Sequence, residues 1–594
     1  MKLPSPGFLL QAFLSAVIRF PAAMLSAFAG VMAMQVIIND YNTPDEWVRT
    51  ILVALIGVPF FTALIAFAES RDWSESRKWL VQVLGILALI AYGFVLDPTG
   101  SGFEYKQLPG YLALVLIAHL FVAVAPYLNN LSVRDFWEYN KILFANIVIG
   151  ACFTFILNSG LSLAILAVDQ LFDLKIDFKV YPRLAIFLAG IFNTAYFLYH
   201  FPNSFQFKQK ENTIAVVFKN LCKYILIPIV GLYFLILYTY SLKILISWDL
   251  PRGWVSSLVI GFSVAGIFTY LLNFYLPELE KAKIIHLFKK WFWWILLPMT
   301  LLLFVAIGRR ISDYGITEFR FLVAETGVWL ALVCLYFIIS KTDNIKFIPI
   351  SLGLFALAYA FGPLSARSVS LRNQVGRLTE SLKESGRFEN GKMKPGTAAM
   401  SEASIEQFSA ALSYLDCRKS LDVLDEFLPA PIDSLPIDTP KEFDWKTEKL
   451  RTWLNISDST YTAERNYYFN ISSYSRNKPI DIAGYNSFVK ADTYERKDKS
   501  GENGLLISED GQHFVRYVIT DAGEVTDTID LKPIISKWME LRNENYYLEL
   551  KGENQLDTIK IRSGNMLMVT ENCSIHIDKD GSKITSWNGY LFMK

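Results

Sequence analysis

The run Ile51–Ala68, ILVALIGVPFFTALIAFA, holds eighteen residues and no charge. A helix that crosses the hydrocarbon core of a bilayer needs about 20 mainly apolar residues, so this stretch reads as a membrane span. Ten more stretches have the same character: Ala22–Ile38, Trp79–Leu96, Leu108–Leu128, Ile142–Val168, Leu184–Phe201, Leu221–Ile246, Trp254–Leu276, Trp291–Ile307, Phe321–Ser340 and Phe347–Ser365. About eleven spans are therefore expected. Composition agrees: of 594 residues, 53% are hydrophobic and only 19% charged, which excludes a disordered chain. Fourteen Trp and 29 Tyr fit aromatic belts at the two membrane surfaces.

Ahead of the first span, Phe8–Phe20 is amphipathic, with Phe8, Leu9, Ala12, Phe13, Ala16 and Phe20 on one side. Pro21 then breaks or kinks the chain. Residues 1–21 read as an interfacial helix lying on the membrane. No basic segment followed by a small-residue cleavage site marks a removable signal.

The pattern changes near residue 366. Up to Ser365 the net charge is about +6, and beyond it about −5, which together give the +1 of the whole chain. Residues 22–365 thus form a polytopic α-helical membrane domain, and the remainder a soluble α+β domain. Within 366–440, Leu371, Val375, Leu378 and Leu382 recur at helical spacing, and Ser401 is placed to cap a second helix. A short helix near Leu421–Phe427 precedes an extended linker at Pro429, Pro431, Pro436 and Pro440. This segment is a helical stalk. Residues 441–594 read as a mainly-β module, with strand-like runs at Tyr468–Ser472, Phe514–Ile519, Tyr547–Leu550 and Ile559–Ile561. Asp510–Gly511, Ala522–Gly523 and Asp580–Gly581 are turn signals, and one helix is expected at about Ile534–Arg542.

Lys and Arg in the short loops orient the chain. With a cytoplasmic N-terminus, about 17 of them fall on the cytoplasmic side and about 10 on the other. An odd number of spans then places the C-terminal domain outside the cytoplasm.

Chemistry-bearing motifs are few. The five histidines, His119, His200, His286, His513 and His576, are scattered, and there is no HExxH or CxxC pattern, so no metal site is expected. No Walker A, GxGxxG or GxSxG motif supports a nucleotide cofactor or serine-hydrolase chemistry, and no catalytic residue is assigned. The basic residues are dispersed, which argues against nucleic acid. Cys417 and Cys573 are the two cysteines of the soluble part and are a possible disulfide pair in an oxidising compartment. Polar residues inside spans are the functional pointers of a membrane domain; they are His119, Asn146, Asn158, Asn193, Lys223, Asn273 and Glu325. Asp40, Asp45 and Glu46 lie in the first external loop, where a membrane transferase would need carboxylates. Gly150, Gly160, Gly231, Gly261 and Gly266 permit close helix contacts.

Several segments, among them Phe136-Trp137-Glu138-Tyr139-Asn140-Lys141, Val168-Asp169-Gln170-Leu171-Phe172, Leu250-Pro251-Arg252-Gly253-Trp254 and Ile480-Asp481-Ile482-Ala483-Gly484-Tyr485, are familiar in their order. Together they resemble the bacterial multi-pass membrane proteins catalogued as domain of unknown function 4153 (DUF4153), in the style of Bacteroidota members. The resemblance implies an integral protein of the bacterial cytoplasmic membrane and cell envelope, and carries over no catalytic residue. On physical grounds, Trp137, Tyr139 and Lys141 read as anchors at the headgroups. Lys243, Trp248, Arg252 and Trp254 rim an external hairpin. With His119 they are the candidate ligand-binding residues, suited to a polar-headed lipid or lipid-linked glycan. Three readings stay open: a non-enzymatic envelope protein with an external sensing or partner-binding module, a transporter or lipid/glycan handler, and a membrane-embedded transferase. The bilayer is the one partner the composition demands; no oligomeric state follows from it.

Overall fold

In hydrocarbon every backbone polar group must be satisfied within the chain, so the apolar runs close into helices. The computed structural model describes residues 6–39, 44–98, 103–128, 132–207, 220–247, 254–275, 283–340, 343–436, 446–456, 467–472, 484–492, 503–507, 513–520, 523–530, 560–563, 566–578 and 581–593. The chain divides into two compact units, residues 1–377 with 417–419, and residues 378–416 with 420–594.

The first unit is helical. Its helices are α1 (Pro6–Arg19), α2 (Pro21–Asn39), α3 (Asp45–Glu69), α4 (Glu75–Val95), the one-turn α5 (Phe103–Lys106), α6 (Leu108–Val124), α7 (Val133–Phe172), α8 (Val180–Phe187), α9 (Asn193–Tyr199), α10 (Ile227–Ser247), α11 (Trp254–Asn273), α12 (Lys283–Tyr314), α13 (Glu318–Ile339) and α14 (Phe347–Ala360), with α15 (Ala366–Lys383) following. The amphipathic segment is α1, and Pro21 opens α2, where its missing N–H costs nothing.

Among the described residues nine helices are long and apolar enough to cross a membrane. Two of the eleven expected spans take another form. Leu184–Phe201 falls on α8 and α9, which a five-residue π-turn at Leu188–Phe192 joins into one helical run. The turn brings Gly190 against α2 so closely that a Cβ there would stand 2.2 Å from Val31 Cγ2. Phe347–Ser365 contributes only the fourteen residues of α14, because Gly362 at φ +84° and Pro363 end it.

Polarity runs inside out relative to a soluble helix. On α4, Leu80, Val83, Leu84, Leu87, Ile90 and Phe94 are exposed, while Gln82, Gly85 and Gly93 are buried. A Leu-rich face suits lipid, and small or polar residues suit the helix contacts. Gln82 Oε1 accepts from Ala22 N at 3.4 Å, serving a donor that the start of α2 leaves without an intrahelical partner. Helices α2 and α3 meet through small residues: a Cβ on Gly57 would lie 2.5 Å from Ser26 Oγ, and one on Gly30 would lie 2.8 Å from Ala54 Cβ. Of the glycines expected at contacts, Gly150 abuts Asn193 and Gly266 abuts Phe292, whereas Gly160, Gly231 and Gly261 have nothing within 4 Å.

The second unit holds α16 (Glu402–Cys417), with Phe408, Leu412 and Leu415 buried as their spacing suggests, and α17 (Lys446–Trp453). Leu421–Phe427 is a 3-10 helix. Asn390 and Gly391, both at positive φ, turn a hairpin between β1 (Phe388–Glu389) and β2 (Lys392–Met393). Arg387 is 3% exposed, and its guanidinium donates to the carbonyls of Leu454, Ala398, Gly396 and Asn455.

The strands are β3 (Tyr467–Ser472), β4 (Ser487–Asp492), β5 (Asn503–Ile507), β6 (His513–Thr520), β7 (Gly523–Asp530), β8 (Lys560–Ser563), β9 (Met566–Asp578) and β10 (Gly581–Met593). One antiparallel sheet runs β3-β9-β10-β4 with β8 also on β9, and a second runs β5-β6-β7. At the irregularity between Asn588 and Gly589, only glycine fits: a Cβ on Gly589 would stand 2.2 Å from Val569 O. The expected helix at Ile534–Arg542 and strand at Tyr547–Leu550 lie outside the described residues.

The helix contacts generate a matched test. Gly57→Ala should lower the thermal midpoint of the purified protein, with an overpacking cost of about 1–3 kcal/mol. Gly160→Ala, in open space on α7, should leave it unchanged or raise it.

Candidate functional site

One end of the helical unit is closed by a charged layer. Arg19, the last residue of α1, spends all five N–H donors: two on Glu69 at 2.7 and 3.0 Å, two on the carbonyls of Phe201 and Pro202, and one on Asn203 Oδ1 at 2.6 Å. This single side chain ties the end of α1 to the end of α3 and to the segment leaving α9.

The Phe136–Lys141 motif lies in the first turns of α7 and serves the same end. Pro126 has no N–H, so the Val122 carbonyl lacks its intrahelical donor; the Tyr139 hydroxyl supplies one at 2.9 Å. Trp137 Nε1 donates to Leu271 O of α11 at 2.7 Å, and Asn140 Nδ2 to Ala123 O at 3.2 Å. Lys141 pairs with Glu138 at 2.6 Å and lies 4.5 Å over the Trp137 ring. Trp137, Tyr139 and Lys141 are 5%, 0% and 5% exposed. They are therefore internal fasteners of helix ends, not headgroup anchors.

At the opposite end two cavities open between helices. The first, about 350 Å³, lies among α6, α13 and α14 and is walled by Leu112, Leu116, Leu322, Trp329, Leu352 and Phe355. Glu325 lines it, and makes no hydrogen bond or ion pair among the described residues. It sits seven residues into α13, about 10 Å from the helix start. Glu104 and Tyr359 complete the lining. Trp329 Nε1 donates to Ser351 Oγ at 3.0 Å and holds α13 against α14 deeper in the unit. The second cavity, about 450 Å³, lies among α2, α3 and α4; its walls are Leu25, Val53, Ile86 and Leu89, and its charged residues are Glu46 and Arg49. Gln107, just before α6, donates to Val95 O at the end of α4, and its Oε1 accepts from Asp97 N. Both cavities thus carry their charged residues at the same end of the unit, and both are largely apolar elsewhere.

Among the polar residues singled out inside spans, Glu325 alone lines one of these two cavities, and it lacks a partner among the described residues. His119 is exposed on α6, outside that lining, with Nδ1 2.8 Å from Val115 O of its own helix. Lys243 is exposed on α10; Trp248 and Arg252 lie outside the described residues, as does the side chain of Trp254. Asn146 donates to His200 O, and Asn273 to Thr269 O. Asp40 lies outside the described residues. Cys417 and Cys573 each stand as a free thiol. Cys573 is buried in β9, and desolvation pushes its thiol well above the ordinary range, which keeps it protonated. The Arg19–Glu69 pair escaped sequence reading because fifty residues separate its members and neither belongs to a motif. No group of three or more metal-ligating side chains occurs among the described residues.

A bundle of apolar helices with a charged lock at one end and largely apolar cavities at the other defines a multi-pass membrane protein. The chain belongs to the family Domain of unknown function (DUF4153), whose model matches residues 23–383. It is similar to the Uncharacterized protein PM1469 of Pasteurella multocida (strain Pm70), at 23% identity over 309 residues, 51% of this chain and 49% of the relative. The chain thus spans about half the length of that curated relative. No solved structure matches it.

The Arg19 lock has a direct test. Glu69→Gln should destabilise the purified protein by about 1–3 kcal/mol, since it leaves a partly buried guanidinium without its counter-charge. Arg19→Lys, with three donors for five acceptors, should rescue less than half of the loss seen in Arg19→Ala. The readout is the thermal midpoint in detergent.

Proposed function

We propose that this protein is a non-enzymatic binder of a membrane amphiphile whose head group carries a protonated amine. It sits in the bacterial cytoplasmic membrane with its N-terminus inside, and its C-terminal β-module outside the cytoplasm responds to occupancy or meets a partner. One observation carries the reading: Glu325 is a carboxylate without a partner among the described residues, in the wall of a largely apolar, open cavity. A carboxylate at that depth costs free energy unless a cation or a donor meets it. Apolar walls suit an acyl chain, and an ammonium head would pair with Glu325. The excess of Lys and Arg in the loops of one side supports the orientation, under which both charged cavity ends face the outer leaflet.

Full-length protein should be extracted into nanodiscs of equal phosphatidylethanolamine and phosphatidylglycerol, and its retained lipid counted by native mass spectrometry. Wild type should retain the amine lipid, and Glu325→Gln should lose that preference by roughly fivefold or more. Equal retention by both proteins defeats the reading. Fusions after Lys594 test the orientation: a phosphatase active only outside the cytoplasm should work, and a fluorescent protein that folds only inside should stay dark.

A further inference from the structure

At the locked end, a third cavity of about 280 Å³ lies at the start of α12. It is lined by Tyr270, His286, Lys289, Lys290, Trp293 and Asp343, among others. We propose that it binds a phosphate-bearing anion, at a site separate from the Glu325 cavity.

The first argument is unused donor capacity. Lys289 Nζ stands 3.6 Å from Asp343 Oδ2. Charge-assisted N–H···O bonds are typically about 2.7–2.9 Å, and the lysine pairs at Glu138 and Glu75 close to 2.6 and 2.7 Å. Asp343 therefore balances Lys289 without taking up its donors. Among the described residues its other contact is the Phe274 ring, 4.2 Å away. Lys290 is exposed beside the Trp291 ring and has no ion pair among the described residues.

The second argument is independent of the lysines. Trp293 is 3% exposed, and its indole N–H is buried beside the Tyr270 hydroxyl without a hydrogen bond of good geometry. Its ring is fixed: it stacks on Phe337 at 4.7 Å and meets Tyr270 edge-on at 4.9 Å. A buried N–H whose neighbouring acceptor, the Tyr270 hydroxyl, is poorly aligned keeps part of the about 1–3 kcal/mol cost of an unmade bond, and an oxygen in the cavity would lower it.

Two ammonium groups and a neutral N–H around one space suit a tetrahedral oxyanion, which offers several acceptors at once. Exposed Trp291 and Trp294 border the region, as interfacial tryptophans do. That depth is where phospholipid phosphates lie, though free phosphate has the same chemistry. Asp343 sets the threshold: it holds Lys289 when the cavity is empty and repels the anion.

The test uses full-length protein in phosphatidylcholine nanodiscs and reads the thermal midpoint in two arms. One arm replaces part of the lipid with phosphatidylglycerol. The other adds inorganic phosphate against chloride at matched ionic strength. Wild type should be stabilised in at least one arm; a lipid-only response identifies the head group as the source, and a response to both identifies the phosphate itself. Lys289→Gln with Lys290→Gln should weaken the response roughly fivefold in ligand concentration, and Trp293→Phe should weaken it less. Asp343→Asn keeps both lysines and should strengthen the response, which a purely structural ion pair would not do. Lys283→Gln, on α12 but outside the lining, and Glu325→Gln should both respond as wild type does. The proposal fails if wild type responds in neither arm, if Asp343→Asn weakens the response, or if Lys283→Gln abolishes it as fully as the double variant.

Discussion

Arg19 has five N–H donors, and five acceptors from three parts of the chain meet them. Outside water such a guanidinium has to be satisfied or it opposes folding. Its satisfaction fixes where α1 ends, how deep α3 reaches, and where the chain leaves α9. Phe20 and Phe201 pack edge-on at 5.3 Å beside it, and Tyr139 packs on Phe201 at 5.8 Å. The lock is thus joined to the motif on α7, whose side chains serve the carbonyls of Val122, Ala123 and Leu271. Lys346, just before α14, adds a 3.4 Å contact to Tyr127 O. Most of the helical unit is held in register from this one end.

A bundle fastened at one end can leave gaps at the other. The Trp329–Ser351 bond ties α13 to α14, and the Glu325 cavity lies in the same three-helix wall. Where α2 and α3 touch through Ser26, Gly30, Ala54 and Gly57, their approach is near, and the cavity they share with α4 is lined by larger side chains such as Leu25, Ile86 and Leu89. The same small-residue packing that replaces the hydrophobic effect between helices in lipid therefore shapes the spaces an amphiphile could fill.

The apolar runs announced most of the helices, because a backbone in hydrocarbon has few alternatives to helix. The amphipathic α1, the stop at Pro21 and most of the legible strands followed from local chemistry in the same way. The exceptions have physical reasons. Leu184–Phe201 looks like a plain span, but a π-turn interrupts it and sets Gly190 against Val31 of another helix. Gly160 and Gly150 look alike in sequence, and only Gly150 meets a neighbour. Trp137 and Lys141 have the residue types of an interfacial anchor, and burial gave them a different task.

The candidate site was legible only as a residue type. Glu325 stood out as a charge in an apolar run, but a carboxylate near a helix end can as easily reach water. Its cavity is built by α6, α13 and α14, which are hundreds of residues apart at the extremes. By itself the sequence determined that this is a multi-pass helical membrane protein with a strand-rich C-terminal segment, since hydropathy and period-two patterning act locally. Which charges pair, which glycines touch, and which carboxylate faces an open space were decided by tertiary structure. Those properties depend on which helix ends meet, and distances between helices are not written in any one of them.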